Sequence, residues 1–410
     1  MSPLEVRASL SLASIFGLRL LGMFVILPVF AIYAEQLPGG NNLTLVGVAL
    51  GAYGLTQALL QIPFGAWSDR FGRKPVIYAG LALFALGSFV AAAAPDLYLV
   101  IVGRILQGAG AISAAVMALA ADLTRDEHRA KAMAMIGSTI GLAFALSLVA
   151  SPWLNRHIGV PGIFAMTGGL AIAAMFVVWR IVPDAQRTRP NERAGTLHAF
   201  WQALIDPQLA RLNYGVFALH AVLMALFIGI PFSLRDAGLA VDDHWKVYLP
   251  VMLGSFVLML PAVMGRSRGL HVKRYFCVSV ALLMLAHIAL PWLGGSVGLL
   301  ALFLLVFFTP FNILEALLPT LTSKIAAPGS RGVAIGLYSS LQFMGAFAGA
   351  VAGGYAYGRW GLSGVVSLNA GLLLLWLATA ITMRVPVIPK VDRGAFDEQN
   401  AGQTITGKVS

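Results

Sequence analysis

The chain has 410 residues, of which 59% are hydrophobic and only 11% are charged, and its net charge is +11. Soluble globular domains carry about 25% charged residues, so this composition excludes an ordinary soluble protein and indicates a membrane protein. The single cysteine, Cys277, excludes an internal disulfide and any metal site built from several cysteines. No His/Asp cluster has metal-ligand spacing in the apolar segments and no phosphate-binding loop motif occurs, so we expect no metal and no other cofactor.

Twelve apolar runs are long enough to cross a bilayer, which takes about 20 helical residues. They are 9–33, 45–66, 75–94, 97–121, 131–153, 160–182, 212–234, 246–265, 274–293, 297–323, 331–355 and 362–384. The longest polar stretch separates the sixth run from the seventh. The sequence therefore predicts an all-α polytopic membrane protein with 12 transmembrane helices in two six-helix bundles, 1–183 and 212–385. The first run is too long for a cleavable signal, and we expect it to remain as a span.

The positive charges predict the orientation in the membrane. An even number of spans places both termini on one side. If that side is the cytoplasm, 22 of the 28 Lys and Arg lie in cytoplasmic segments and 4 lie outside, with Arg19 and Arg104 within spans. The positive-inside rule therefore predicts cytoplasmic termini in a bacterial inner membrane, and the net charge requires no nucleic-acid partner.

Two further segments lie outside the predicted bundles. The cytoplasmic linker 184–211 contains a short amphipathic pattern, which predicts a helix that either lies on the inner membrane surface or docks on protein. Its apolar face is formed by Leu197, Phe200, Trp201 and Leu204. Residues 386–410 are polar, and we expect them to form a disordered cytoplasmic tail.

A short charged loop, GAWSDRFGRK at 65–74, follows the second run. Gly65 permits close approach of a neighbouring helix, and Gly72 permits the positive φ of a tight reversal. The loop resembles the signature G-x-L-x-D-R-x-G-R-K of the major facilitator superfamily. The matching residues are Gly65, Asp69, Arg70, Gly72, Arg73 and Lys74, while Trp67 replaces the usual Leu.

The resemblance implies that this loop acts as a conformational latch together with Asp122, which ends the fourth run. Asp122 is expected to pair with Arg70 or Arg73 in the outward-facing state. The alternative interpretation is a plain turn whose positive charges only set the topology.

Two more motifs support the resemblance. Arg104-x2-Gln107-Gly108-x-Gly110 is similar to the span-four signature of the superfamily, and the run from Gly17 to Pro28 is similar to the first span of YajR-type drug-efflux facilitators. That subfamily has an extra C-terminal soluble domain, which we expect this chain to lack. The fifth run keeps a proline of the antiporter signature without its flanking glycines, so antiport stays open.

Ionisable residues inside the spans are rare, because charge at the bilayer centre costs at least ~2.5–3.5 kcal/mol per residue. Glu315 and His220 each lie eight residues from the predicted cytoplasmic edge of their spans, which is about 12 Å at 1.5 Å per residue. The resemblance implies that both spans line the central cavity. We therefore predict that Glu315 and His220 carry the proton, assisted by Arg104 and Arg19; the alternative is a structural role for each.

The predicted substrate cavity combines amide and aromatic side chains. Its candidate residues are Phe24, Gln57, Gln61, Phe227, Phe311, Asn312 and Gln342. This apolar balance favours proton-coupled efflux of amphipathic or drug-like molecules by a monomer, with a sugar or organic-solute facilitator as the alternative. A polytopic membrane enzyme is a minor alternative, because Ser296 and Ser363 lie in glycine-serine motifs without a histidine in a following span.

Overall fold

The structure is a computed structural model that describes residues 1–184, 196–264, 272–293, 295–327 and 330–384. The described part is almost entirely helical. Its helices are α1 (Pro3–Phe24), α2 (Leu27–Ala34), α3 (Leu43–Phe71), α4 (Arg73–Ala92), α5 (Leu97–Ala109), α6 (Ser113–Asp122), α7 (Asp126–Arg180), α8 (Thr196–Ile205), α9 (Pro207–Asp236), α10 (Trp245–Met264), α11 (Val272–Ala289), α12 (Val297–Ile325) and α13 (Arg331–Ile381). The predicted tail, 386–410, and residues 185–195 of the predicted linker lie outside the described residues.

Ten helical segments among the described residues are long and apolar enough to cross a membrane. Two of them, Glu127–Arg180 with 54 residues and Arg331–Ile381 with 51, are more than twice as long as a single span requires. Each is interrupted by one glycine in a non-helical conformation, Gly159 with φ 64° and Gly361 with φ 59°. Side chains are disfavoured at such angles, so glycine allows the kink without strain.

These two points lie in the gaps between predicted runs, 154–159 and 356–361. In the structure both gaps are helical up to the glycine at their end. Two other predicted spans, 9–33 and 97–121, are each interrupted near the middle. α1 and α2 are separated by two residues before Pro28, and α5 and α6 are separated by the three residues that begin with Gly110.

The first half (α1–α7) and the second half (α9–α13) meet at one end of the molecule, which we call the closed end. The backbones of α3 and α13 touch there: a Cβ added to Gly47 would lie 2.1 Å from the Ala350 carbonyl oxygen, and a Cβ added to Gly354 would lie 2.1 Å from the Leu43 carbonyl oxygen. Only glycine fits at such an approach. Beside it, α9 and the C-terminus of α2 are joined by an ion pair between Arg235 and Glu35, with N and O 2.7 Å apart.

The helix α8 occupies the position predicted for the amphipathic helix of the linker. Its Ala203 is buried in a small apolar cluster with Leu209, Ala326, Ala334 and Leu337. The opposite side remains uncovered, since Trp201 is 53% exposed and Ile205 is 71% exposed. The helix therefore docks on the second half and also presents apolar side chains outward, and its position on the membrane surface stays a prediction.

Candidate functional site

A cavity of about 540 Å³ lies between the two halves. Its walls come from α1, α3, α6 and α7 of the first half and from α9, α10, α12 and α13 of the second half. Six of the predicted proton and substrate residues line it: Phe24, Gln61, His220, Asn312, Glu315 and Gln342. The residues that line the cavity lie toward the opposite end of the molecule from the closed end. That opposite end carries the 65–74 loop, and we call it the latch end.

His220, Glu315 and Gln342 form one cluster in the wall of the second half. The Nε2 atom of His220 lies 3.7 Å from Oε2 of Glu315. The Gln342 amide donates to His220 Nε2 at 2.8 Å and reaches Glu315 Oε1 at 3.5 Å. Three helices, α9, α12 and α13, thus place an imidazole, a carboxylate and an amide within contact of one another.

The hydrogen bonds define the tautomer of His220. Its Nδ1 lies 3.1 Å from the Val216 carbonyl oxygen, which can only accept, so Nδ1 carries a proton. Its Nε2 faces the Gln342 amide nitrogen, which can only donate, so Nε2 is the acceptor. With the Gln342 amide in this orientation, the contacts fit the tautomer that carries its proton on Nδ1, and Nε2 lies beside the carboxylate.

Two polar atoms beside this cluster have no hydrogen-bond partner in the described part of the chain. They are Oε2 of Glu315 and the hydroxyl of Tyr338, both buried. Tyr338 also lines the cavity. Tyr338 was not predicted from the sequence, since no pattern separates a cavity-lining tyrosine from a packed one. Unsatisfied buried polar groups are uncommon, so two of them beside one cavity mark this part of its wall as a candidate site.

Arg19 lies behind the opposite wall of the cavity, buried in the first half with 3% exposure. Its guanidinium donates to the hydroxyl of Ser113 at 2.8 Å and to the side-chain oxygen of Gln57. The Gln57 amide in turn donates to Gln61 Oε1 at 3.1 Å. Ser113 and Gln61 line the cavity, whereas Gln57 and Arg19 form the layer behind them.

Arg104 lies deeper in the first half and does not line the cavity. It donates to Gln107 Oε1 at 2.8 Å and to the Leu50 carbonyl oxygen at 3.3 Å. The guanidinium carbons of Arg104 and Arg19 lie 5.0 and 5.7 Å from the centre of the Tyr53 ring. These cation–π contacts and amide acceptors stabilise both cations inside the bundle. The structure brings neither arginine into contact with Glu315.

Aromatic side chains pack between the halves. Phe144 of α7 contacts Phe24 at 5.1 Å and stacks on Phe311 at 6.0 Å between ring centres, and Phe311 also packs on His220. Phe227 was predicted in the cavity, but it is fully buried against Tyr248 and does not line it. α9 is apolar on all sides, so its sequence does not distinguish the cavity face from the core.

The 65–74 loop forms its contacts within the first half. Arg73 donates to Asp122 Oδ2 at 3.0 Å and to Asp69 Oδ1 at 2.5 Å, which links the end of α3 to the end of α6. Gly72 joins α3 to α4 with φ 100°. The pair of Asp122 with Arg73 forms in an arrangement whose halves meet at the other end of the molecule.

The other predicted loop residues have separate contacts. A Cβ added to Gly65 would lie 3.4 Å from that of Ala114, an ordinary packing distance between α3 and α6. Arg70 lies over the ring of Phe71, and Lys74 pairs with Asp184 at 2.6 Å.

An ion pair between Glu5 and Arg125, which was not predicted from the sequence, lies at the same end. Glu5 is 6% exposed and accepts from the backbone N–H of Arg125 at 3.0 Å and from its Nε at 3.1 Å. Ser2 caps α1 through a reciprocal pair of hydrogen bonds with Glu5. The contacts between Glu5 and Arg125 therefore hold the start of α1 against the connection between α6 and α7.

Comparison with known proteins identifies the family. The model of the Major Facilitator Superfamily matches residues 12–350. The chain is 42% identical to the inner membrane transport protein YajR of Escherichia coli (strain K12), over 94% of this chain and 85% of that protein. It is 26% identical to the multidrug resistance protein MdtH of Aeromonas hydrophila, over 82% and 84% of the two chains.

Among solved structures, a D-xylose-proton symporter shares the fold with a TM-score of 0.69 at 15% identity, over 93% of this chain and 97% of that one. The ten apolar helical segments agree with a protein that crosses the inner membrane many times. The chain thus belongs to the major facilitator superfamily and is a multi-pass transporter of the inner membrane.

Proposed function

We propose that this chain exports small amphipathic molecules by alternating access, driven by protons that move inward. The observation that carries the proposal is Glu315, whose side chain lines the cavity and whose Oε2 lies 3.7 Å from His220 without a hydrogen bond in the described structure. An intramembrane carboxylate without a cation is costly, so it favours either a proton or a positively charged substrate. Competition between the two at one carboxylate couples proton entry to substrate exit.

The topology that this function needs has twelve spans. We infer that α7 and α13 each cross the membrane twice and reverse at Gly159 and Gly361, since either half of each segment is long enough to span. The bias of positive charges supports cytoplasmic termini, and the latch end then faces the cytoplasm. The cavity would be reached from inside in this arrangement, and the monomer would be the functional unit.

The loop around Arg73 is proposed to hold the ends of α3, α4 and α6 together while the halves move. The side chains that accept hydrogen bonds from Arg73 in the described structure all belong to the first half; they are Ser68, Asp69 and Asp122. This supports a role in keeping one bundle rigid.

The lining of the cavity supports amphipathic substrates and not an enzymatic reaction. Phe16, Leu20, Met23 and Phe24 form an apolar surface beside the polar cluster. The name of the Aeromonas relative, a multidrug resistance protein, agrees with export of such molecules. A facilitator for polar organic solutes is the second candidate, favoured by the amides of Gln61, Asn312 and Gln342 in the same cavity.

The test is transport by the purified protein in liposomes with an imposed pH gradient and a fluorescent amphipathic amine. We expect the gradient to drive accumulation by the wild type. Glu315→Gln should abolish this accumulation, His220→Asn should weaken it, and Glu127→Gln, an exposed acid outside the cavity, should leave it intact. Full proton-driven accumulation by the Glu315→Gln protein would refute the proposal, and pH-independent sugar uptake would favour the second candidate.

A further inference from the structure

The two walls of the cavity have opposite hydrogen-bonding capacity. On the first half, Ser113 Oγ accepts from Arg19 at 2.8 Å and from the Gln57 amide at 3.4 Å. Both lone pairs of this hydroxyl are therefore used, and its proton remains for a group in the cavity. Gln61 accepts from the Gln57 amide at 3.1 Å through Oε1, so its NH₂ group also remains. This wall presents hydrogen-bond donors.

A buried positive charge lies behind these donors. Among the described residues, no carboxylate lies within ion-pair distance of the Arg19 guanidinium, and its Nε has no partner. The charge therefore acts on the cavity through Ser113 and Gln61 with little compensation. Inside a protein, where the dielectric is low, such a field is stronger than in water.

The wall of the second half presents acceptors. Glu315, whose side chain lines the cavity and is 23% exposed, supplies a carboxylate to this wall. The Asn312 amide nitrogen donates to Ser255 at 3.0 Å, which leaves its oxygen for a ligand. The Gln342 amide nitrogen is occupied by His220 at 2.8 Å, which likewise leaves its oxygen. An ammonium group suits this wall, and an anionic group suits the other.

We propose that the preferred substrates of this cavity are zwitterions, in which an apolar body joins an anionic group to an ammonium group. The anionic group binds Ser113 and Gln61 in the field of Arg19, and the ammonium binds Glu315. The inference rests on the proposed function in that the molecule bound is the molecule exported. The cavity volume of about 540 Å³ suits a drug-sized molecule.

The test compares three fluorescent probes that differ by one charged group. Monodansylcadaverine carries only the ammonium, Nα-dansyl-lysine adds a carboxylate to the same skeleton, and Nα-dansyl-norleucine keeps the carboxylate without the ammonium. Dansyl fluorescence reports binding to the purified full-length protein. We expect dansyl-lysine to bind at least about tenfold more tightly than either partner, which corresponds to about 1.4 kcal/mol and lies at the low end for a hydrogen bond to a charged group.

Variants assign that preference to the two walls. Ser113→Ala should weaken dansyl-lysine binding about tenfold and change monodansylcadaverine binding less than about twofold. Glu315→Gln should weaken both amines and spare dansyl-norleucine. Ser147→Ala, a buried serine of the first half outside the cavity, is the matched control and should change neither.

The inference would be overturned if the wild type bound dansyl-lysine and monodansylcadaverine with equal affinity, or if no probe bound. It would also be overturned if Ser113→Ala lowered the affinity for these two probes by the same factor. Proton-driven movement of monodansylcadaverine without a zwitterion preference would leave the proposed function standing and refute only the inference. A preference for the zwitterion in binding, without any proton-driven movement, would leave the zwitterion site standing and refute the proposed function.

Discussion

The contact between α3 and α13 predicts that one added methyl group opens the closed end. In Gly354→Ala the new Cβ would start 2.1 Å from the Leu43 carbonyl oxygen, whereas real Cβ contacts almost never fall below 3.0 Å. The two backbones must separate by about 1 Å, and overpacking of this kind costs about 1–3 kcal/mol. Because about 1.4 kcal/mol is a factor of ten, the ratio of open to closed molecules should rise roughly 5- to 150-fold.

The assay is the distance between two spin labels across the closed end. Gln36→Cys and Ala240→Cys provide exposed sites near the Glu35–Arg235 pair, in a Cys277→Ser background that removes the chain's one native cysteine. Pulsed electron spin resonance then gives the distance distribution, in which Gly354→Ala should populate a longer distance.

The matched control lies one turn along the same helix. A Cβ added to Gly358 would lie 3.7 Å from the Cβ of Leu43, which is ordinary van der Waals contact, so Gly358→Ala should leave the distribution unchanged. Identical distributions for Gly354→Ala and Gly358→Ala would refute the argument that backbone contact holds this end together.

Two further predictions concern ion pairs. Arg235→Glu should also populate the longer spin-label distance. The effect should be smaller than that of Gly354→Ala, because both partners of the Arg235–Glu35 pair are about 40% exposed and such pairs contribute up to ~1 kcal/mol. Adding Glu35→Arg should restore the wild-type distribution, and a failure to restore it would show that the pair does not join the halves. Arg73→Ala should lower the thermal unfolding temperature, with a loss of about 1–3 kcal/mol in the free energy of unfolding, because it removes the guanidinium that contacts Asp69 and Asp122. Arg70→Ala should leave the unfolding temperature unchanged, since Arg70 lies over the ring of Phe71. Equal unfolding temperatures for the two variants would contradict the structural role of Arg73.

Much of the fold follows from the lengths of the apolar runs, because the bilayer imposes the same length on every span. Helix ends are less predictable, since a helix can continue beyond the apolar region: α3 extends to Phe71, past the predicted end at residue 66. The gaps between predicted runs around Gly159 and Gly361 are wider than the interruptions in the structure, because one residue with positive φ is enough to interrupt a helix.

Glu315 and His220 could be singled out because ionisable groups are rare in spans and both lie at the same depth. Ser113 and Tyr338 could not, since serine and tyrosine are common in such helices and only the packing decides which of them faces the cavity. Arg19 was recognised as an intramembrane charge, but its amide partner Gln57 lies on another helix, so the sequence did not reveal the layer behind the wall.

The amide of Gln342 makes the cavity sensitive to the protonation of its neighbour. Once His220 gains a second proton, its Nε2 becomes a donor and no longer accepts from the Gln342 nitrogen. The new N–H can be accepted by Glu315, whose Oε2 lies 3.7 Å away, and a rotation of the Gln342 amide by half a turn would direct its oxygen at the imidazolium and its NH₂ group at the cavity. One proton on His220 would thereby replace a hydrogen-bond acceptor with a donor on the surface that faces the ligand. The cavity would then prefer different ligands before and after His220 binds that proton.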